Sequence, residues 1–283
     1  MQSGPMNATT IFSARLDAPP SQGVVAARDG RSAAWMAAAW SVVTGRTGHV
    51  AVSDADDKAL AHLVAARARV TLSIGSPERT AGEADDAHAC LIADARSPAA
   101  PVDEWRAIDA RPIRLERLAA DLTRVLPPGA VVCVEVADLE PVVLAAAAAH
   151  PSVLALSRLS GLPRGAAIAW AIGAKAAAPS RTVVALTDAP GFAIGGMDLA
   201  TAARHDLPVA VVVANAEHDL PAFELVAPIA GGHGEQVTDP SRLAIHLRNA
   251  MSVPISSVIN VAVEAPRTAP RRHPVARGSR LMA

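Results

Sequence analysis

The chain has no tyrosine. Three phenylalanines and four tryptophans are its only aromatic residues, 2% of 283 positions. Without aromatic bulk, a core must be built from Ala, Val, Leu and Ile, and hydrophobic residues reach 51%. Ala-rich helices let backbones approach closely, against one another or against a sheet. Cysteine is equally scarce: Cys90 and Cys133 have no metal or redox spacing. Cys133, in VVCVEV, reads as a small buried hydrophobe on a strand. No excess of one charge exists, since the formal net charge is −1, which argues against a nucleic-acid footprint. No run of about 18 apolar residues suggests a membrane span. LEPVVLAAAAAHPSVLAL comes nearest, and His150 and Pro151 break it. Residues 1–20 hold no sustained apolar stretch, so a cytoplasmic protein is expected. The nine histidines match no zinc pattern. No G-x-S-x-G elbow occurs, and the glycines of PGFAIGG form no dinucleotide fingerprint.

What is present is alternation. RSAAWMAAAWSVVT (31–44) reads as an apolar helix, HVAVS (49–53) as a strand and DDKALAHLVAARA as a helix. VTLSIGS (70–76) and HACLIAD (88–94) read as strands. The second half is more regular: LERLAADLTRVL, LEPVVLAAAAAH, PRGAAIAWAIGAKAAA, GMDLATAARHD and PSRLAIHLRNAMS are helical. Between them AVVCVEVA, SVLALS, TVVALTD, VAVVVAN and SVINVAVEA are strands. Continuous Val/Ala/Ile strands alternating with helices argue for α/β architecture with parallel sheets covered on both faces. The expected division is a flexible arm (1–20), a first abbreviated domain (21–96), a Pro-containing linker (97–111) and a second domain (112–265). Residues 266–283 carry five Arg, one His and no acid, and read as a basic disordered tail.

One stretch carries more information than the rest: RTVVALTDAPGFAIGGMDLATAARHDLPVAVVVANA, residues 181–216. It resembles the cofactor-binding half of thiamine-diphosphate enzymes of the acetolactate synthase and 2-oxo acid decarboxylase type. That family writes a strand, GDGSF, a helix with LATAVRYNLPV, and a strand ending in NN. GLPRGAAIAWAIGAKAAAPSRTVV and the closing PAFELVAPIAGGHGEQVTDPSRLAIHLRNAM are similar to further family segments. In the first half, RDGRSAAWMAAAWSVVTGRTGHVAV resembles the pyrimidine-binding domain. The resemblance implies two thiamine-diphosphate-type domains, pyrimidine-type then diphosphate-type, without a middle domain.

The cofactor letters differ. In the family, the Asp of GDG and the second Asn of NN hold Mg²⁺; the gapless match puts Ala189 and Ala216 there. Asp188 stands where the family has Gly, Asn215 at the first Asn, and Pro190 removes a backbone N–H near a helix start. Gly30 stands at the position of the family's catalytic Glu, with Asp29 adjacent. The segment after NN is shorter than in active relatives, because AEHDL runs almost directly into PAFELVAPIA. No cofactor is therefore expected; the alternative is thiamine diphosphate with Mg²⁺ on substitute ligands. Asp188, Gly191, Asn215 and Glu217 are the candidate cofactor-binding residues, with Asp188 and Asn215 as metal ligands. Asp188, Glu217, His218 and Asp219 at strand ends are a candidate polar site, or a solvated loop. His205, where the family has Tyr or another polar residue, reads as surface or interface, and His233 as a loop residue. Trp35, Trp40 and Trp170 lie on helices that in the family join the two domain types, as interface or core. The expected role is that of a degenerate homologue acting through assembly, as a homodimer or with an intact thiamine-diphosphate enzyme through those helix faces. The alternatives are a decarboxylase or carboligase of a 2-oxo acid, and a small-molecule binding module.

Overall fold

Two helices of this chain are apolar on every side, and the architecture follows from where such helices can sit. A helix exposed on one face shows an apolar stripe; one buried all round needs cover on both sides. The computed structural model describes residues 10–14, 23–52, 70–74, 80–81, 102–136, 138–139, 142–143, 154–157, 164–216 and 221–265. The strands of the first part are β1 (Ile11–Ser13), β2 (Val24–Ala26), β3 (Gly48–Val52), β4 (Val70–Ile74) and β5 (Thr80–Ala81). They form a sheet in the order β2-β1-β3-β4-β5, parallel except for the β4–β5 pair. The second sheet holds β6 (Val131–Val134), β7 (Leu154–Ser157), β8 (Val183–Asp188), β9 (Ala210–Asn215), β10 (His233–Val237) and β11 (Ser257–Ala262). Its order is β10-β11-β9-β8-β6-β7, with parallel pairing throughout. The α/β reading with two parallel sheets is correct.

Helix α1 (Gly30–Thr44) covers the first sheet. The Asp29 side chain accepts from Ser32 N–H at 2.7 Å and starts it. Gly45, at φ 69°, ends it with its N–H on the Ser41 carbonyl. Two short stretches follow in the order of the chain, α2 (Val102–Arg106) and α3 (Leu115–Val125). Helix α4 (Ala167–Ala177) then covers β6 and β8 of the second sheet. It also packs on α1, so the two helices form the double layer between the sheets. Ala33, Ala34, Ala37, Ala38 and Ala39 of α1 share one core with Ala169, Ala171 and Ala174 of α4. The backbones come very close: a Cβ built on Gly173 would lie 2.0 Å from the Met36 carbonyl oxygen. Trp35 and Trp170 meet edge to face across the seam, with centroids 5.1 Å apart. Polar links close one end of it. Asp198 Oδ1 accepts from Arg28 Nε (3.0 Å) and Ser32 Oγ (2.8 Å), and His205 Nε2 accepts from Ala26 N–H at 2.9 Å.

The remaining helices are α5 (Ala189–Gly195), α6 (Leu199–Arg204), α7 (Val226–Ile229) and α8 (Pro240–Ser252). Helices α3 and α8 cover the opposite face of the second sheet, where Leu118, Leu122, Leu243 and Leu247 meet Val132, Val212 and Ile259. Cys133 is fully buried, and burial pushes its thiol well above the ordinary range, as suits a small hydrophobe.

Some expectations need correction. Within the stretch read as a flexible arm, Ile11–Ser13 is an inner strand of the first sheet, with Phe12 wholly buried. Three residues give too short an alternation to read. In the stretch read as a linker, Val102–Arg106 is a helical turn. PGFAIGG, to which no element is assigned from the sequence, is helical because Asp188 caps it and Pro190 suits a first turn. His233 opens β10 rather than lying in a loop. The helix at DDKALAHLVAARA, the strand at HACLIAD, Cys90 and the tail 266–283 lie outside the described residues. The helix faces expected to recruit a partner are packed on each other within one chain.

Replacing Gly173 with Ala forces α1 away from α4. We expect Gly173→Ala to cost about 1–3 kcal/mol, read as a lower urea midpoint at an unchanged slope. An unchanged midpoint would contradict the close seam.

Candidate functional site

In the second sheet, β7 lies on one side of β6 and β8 on the other. This is a topological switch point, and ligands in open parallel sheets bind outside the carboxyl ends of the strands there. Glu135 follows β6, and Thr187 and Asp188 end β8. The register pairs Val134 with Leu186, and Glu135 N–H continues it on to the Leu186 carbonyl. Alternation along the strands therefore turns Glu135 and Thr187 toward the α4 face.

Glu135 is the residue that the sequence reading missed. It is 3% exposed. Its Oε1 accepts from Gly165 N–H at 2.5 Å and its Oε2 from Ala167 N–H at 2.7 Å, at the start of α4. Burial raises its carboxyl above the usual range, and nearby Asp188 adds to that; the backbone N–H groups pull the other way. Asp188 Oδ1 caps α5 by accepting from Gly191 N–H at 2.8 Å, and its Oδ2 lies 3.0 Å from the Arg164 guanidinium. Arg164 is half exposed, so solvent weakens that pair. Gly191 lies against all of this: a Cβ on it would come within 2.2 Å of Glu135 Oε1 and 2.4 Å of Thr187 Oγ1. The site thus brings together Glu135, Asp188, Thr187 and Gly191. One signal for Glu135 was available in the sequence: a lone carboxylate inside the apolar run VVCVEV.

Asn215 is not part of this group. Asp188 pairs in register with Ala214, so Asn215 at the next position faces the opposite side of the sheet from Asp188. Its amide nitrogen donates to Asn260 Oδ1 (3.0 Å) and to the Pro221 carbonyl (3.2 Å). Asn260 in turn donates to Pro221 and to Glu224 Oε2. Both asparagines are fully buried and pin the chain where it re-enters at Pro221. Ala189 is buried, and Ala216 packs on the core of the α3–α8 face. Glu217, His218 and Asp219 lie outside the described residues. Asp29 is occupied as the cap of α1 beside Arg28 and Arg31, and Gly30 is the buried first residue of that helix. His233 is half exposed and pairs with Glu235, whose other oxygen meets His246.

Residues 149–220 match the family model for the thiamine pyrophosphate enzyme C-terminal TPP binding domain. Over these residues the chain is similar to that domain, and it spans about a quarter of the length of the curated relatives it matches. It is also similar to a probable acetolactate synthase of Mycobacterium bovis (strain ATCC BAA-935 / AF2122/97), 30% identical over 124 residues. The acetolactate synthase large subunit IlvG of Mycobacterium tuberculosis (strain ATCC 25618 / H37Rv) matches to the same extent. Each match covers 36% of this chain and 23% of the relative.

The residues present do not fit a metal-anchored thiamine diphosphate. Three backbone donors at the switch point, Gly165, Ala167 and Gly191, are bonded to the chain's own carboxylates. Those carboxylates would also repel a diphosphate. Methyl groups stand at Ala189 and Ala216. Among the described residues, no three His, Cys, Asp or Glu side chains converge to hold a metal ion. Asn215, the other half of the expected substitute pair with Asp188, is taken up by Asn260 and the Pro221 carbonyl.

Removing the Glu135 carboxylate leaves the Gly165 and Ala167 N–H groups without their acceptor. Glu135→Ala should lower stability by about 1–3 kcal/mol, measured by urea unfolding. An unchanged midpoint would show that the carboxylate does not hold the start of α4.

Proposed function

We propose that this chain is a degenerate thiamine-diphosphate-enzyme homologue, related to acetolactate synthases, that works through assembly rather than metal-anchored cofactor catalysis. One observation carries the reading: the backbone donors at the switch point already hold Glu135 and Asp188. Ala189 and Ala216, where the family resemblance implies metal ligands, support it. The alternative, a 2-oxo acid decarboxylase or carboligase on substitute ligands, loses support because Asn215 is tied to Asn260 and Pro221.

The partner is a second copy or an intact thiamine-diphosphate enzyme. The faces of α1 and α4 are consumed within the chain, so contact falls to side chains left outward. Met197, Leu225 and Ile229 are the most exposed large apolar groups among the described residues, with Ile229 82% exposed.

Calorimetric titration of the full chain with thiamine diphosphate and Mg²⁺, beside a Mg²⁺-free control, tests the loss of cofactor binding. No binding is expected up to about millimolar cofactor, where a micromolar complex would have a binding free energy of roughly −8 kcal/mol. Metal-dependent binding in the micromolar range would overturn the reading. Light scattering of the eluting protein tests assembly: Leu225→Asp with Ile229→Asp should shift an oligomer toward monomer.

A further inference from the structure

The seam between the two sheets ends in a hydrogen bond that only one protonation state of one side chain can make. Among the described residues, strand β2 is the edge of the first sheet. Ile11 N–H donates to the Gly23 carbonyl, and Ala27 N–H to the Ser13 carbonyl, both at 2.7 Å. Residues 23 and 27 therefore turn their bonding groups toward β1, and the N–H of Ala26 points outward from the sheet. Ala26 is 1% exposed, so water cannot satisfy that group. His205 Nε2, just past the end of α6, accepts it at 2.9 Å.

We propose that His205 is an acid-sensitive latch, holding the edge strand of the first sheet against the second half of the chain while its imidazole is neutral and releasing it when protonated. An imidazole nitrogen accepts a hydrogen bond only without its proton, and an imidazolium donates at both positions. Protonated His205 would set its own N–H against the buried N–H of Ala26. Burial, and then the adjacent Arg204, hold the ring below the ordinary histidine range. Among the described residues, the other charged groups along this end of the seam are Asp206, whose charge acts on Lys175 of α4, and Arg28, Asp29 and Asp198 on the β2–α1 side.

The sign of the effect follows from linkage. A folded-state value below the unfolded one means that the neutral ring contributes stability above the ordinary histidine value. That contribution is lost as pH falls through the folded value. The second joint does not release with the first. Burial holds the Asp198 carboxyl above its usual range, against the pull of Arg28 and Ser32, so protonating it does not destabilise the fold. Mild acid thus frees the edge of β2 while Arg28, Ser32 and the α1–α4 core keep the halves joined. A freed strand edge offers its N–H and C=O groups to another chain.

Amide exchange at Ala26, followed by NMR on the full chain and corrected for the intrinsic pH dependence, reads the latch directly. As pH falls from above the ordinary histidine value of about 6.5 through the folded-state titration of His205, protection at Ala26 should fall about tenfold, the value of one hydrogen bond near 1.4 kcal/mol. Val258, in the middle of the second sheet, should not change. In His205→Gln, whose Oε1 accepts without titrating, Ala26 should keep constant protection over the same range. A flat profile in the unaltered chain, or a parallel fall in His205→Gln, would overturn the proposal. Should His205→Gln not fold, the unaltered chain still decides. The midpoint of the His205 ring titration must coincide with the midpoint of Ala26 deprotection, and separate midpoints would sink the idea.

Discussion

The contact between the backbones of α1 and α4 is the constraint from which the rest of the molecule follows. Gly173 sits on the carbonyl of Met36, so α4 can carry no side chain at that point of the crossing. Close approach brings Trp35 onto Trp170 and buries both helices on every side. A helix buried all round has no amphipathic stripe, which is why alanine dominates both. The polar links at Asp198 and His205 then fix how the β2–α1 turn lies against α5 and α6. Dispersion at this density falls off within a fraction of an ångström.

The same rigid placement shapes the crevice at the ends of β6 and β8. Helix α4 begins there because the seam holds its far side, and its first N–H groups must find acceptors. In this chain the acceptor is a side chain of the chain itself. Glu135 takes them, Gly191 leaves room for it, and Asp188 caps the next helix from the adjacent strand. The backbone donors at these strand ends are bonded to the chain's own carboxylates. Stability and ligand binding compete for the same few backbone groups, and here stability has them.

Much of this was legible in the sequence where local signals are strong. The strands TVVALTD and VAVVVAN and the helix PSRLAIHLRNAMS fall within a residue or so of their observed limits. Apolar runs bounded by turn residues leave little choice there. Other features depend on tertiary contact and left weak traces. The three-residue strand at Ile11 owes its existence to neighbours on both sides. PGFAIGG, rich in glycine, is a helix started by the Asp188 cap. Asp188 and Asn215 are both at strand ends, yet the register sends them to opposite faces, which no linear spacing reveals. The role of His205 depends on a backbone group 179 residues away.

In the proposed reading, the switch-point donors and ligand positions of this chain do not form a metal-anchored cofactor site. Mn²⁺ reports on that most directly, because its electron paramagnetic resonance signal in solution broadens on binding to protein. Titration of the full chain with Mn²⁺ in the presence of thiamine diphosphate should leave the spectrum equal to that of metal and cofactor without protein. A saturable, protein-dependent loss of the free Mn²⁺ signal that Asp188→Ala abolishes would contradict the account.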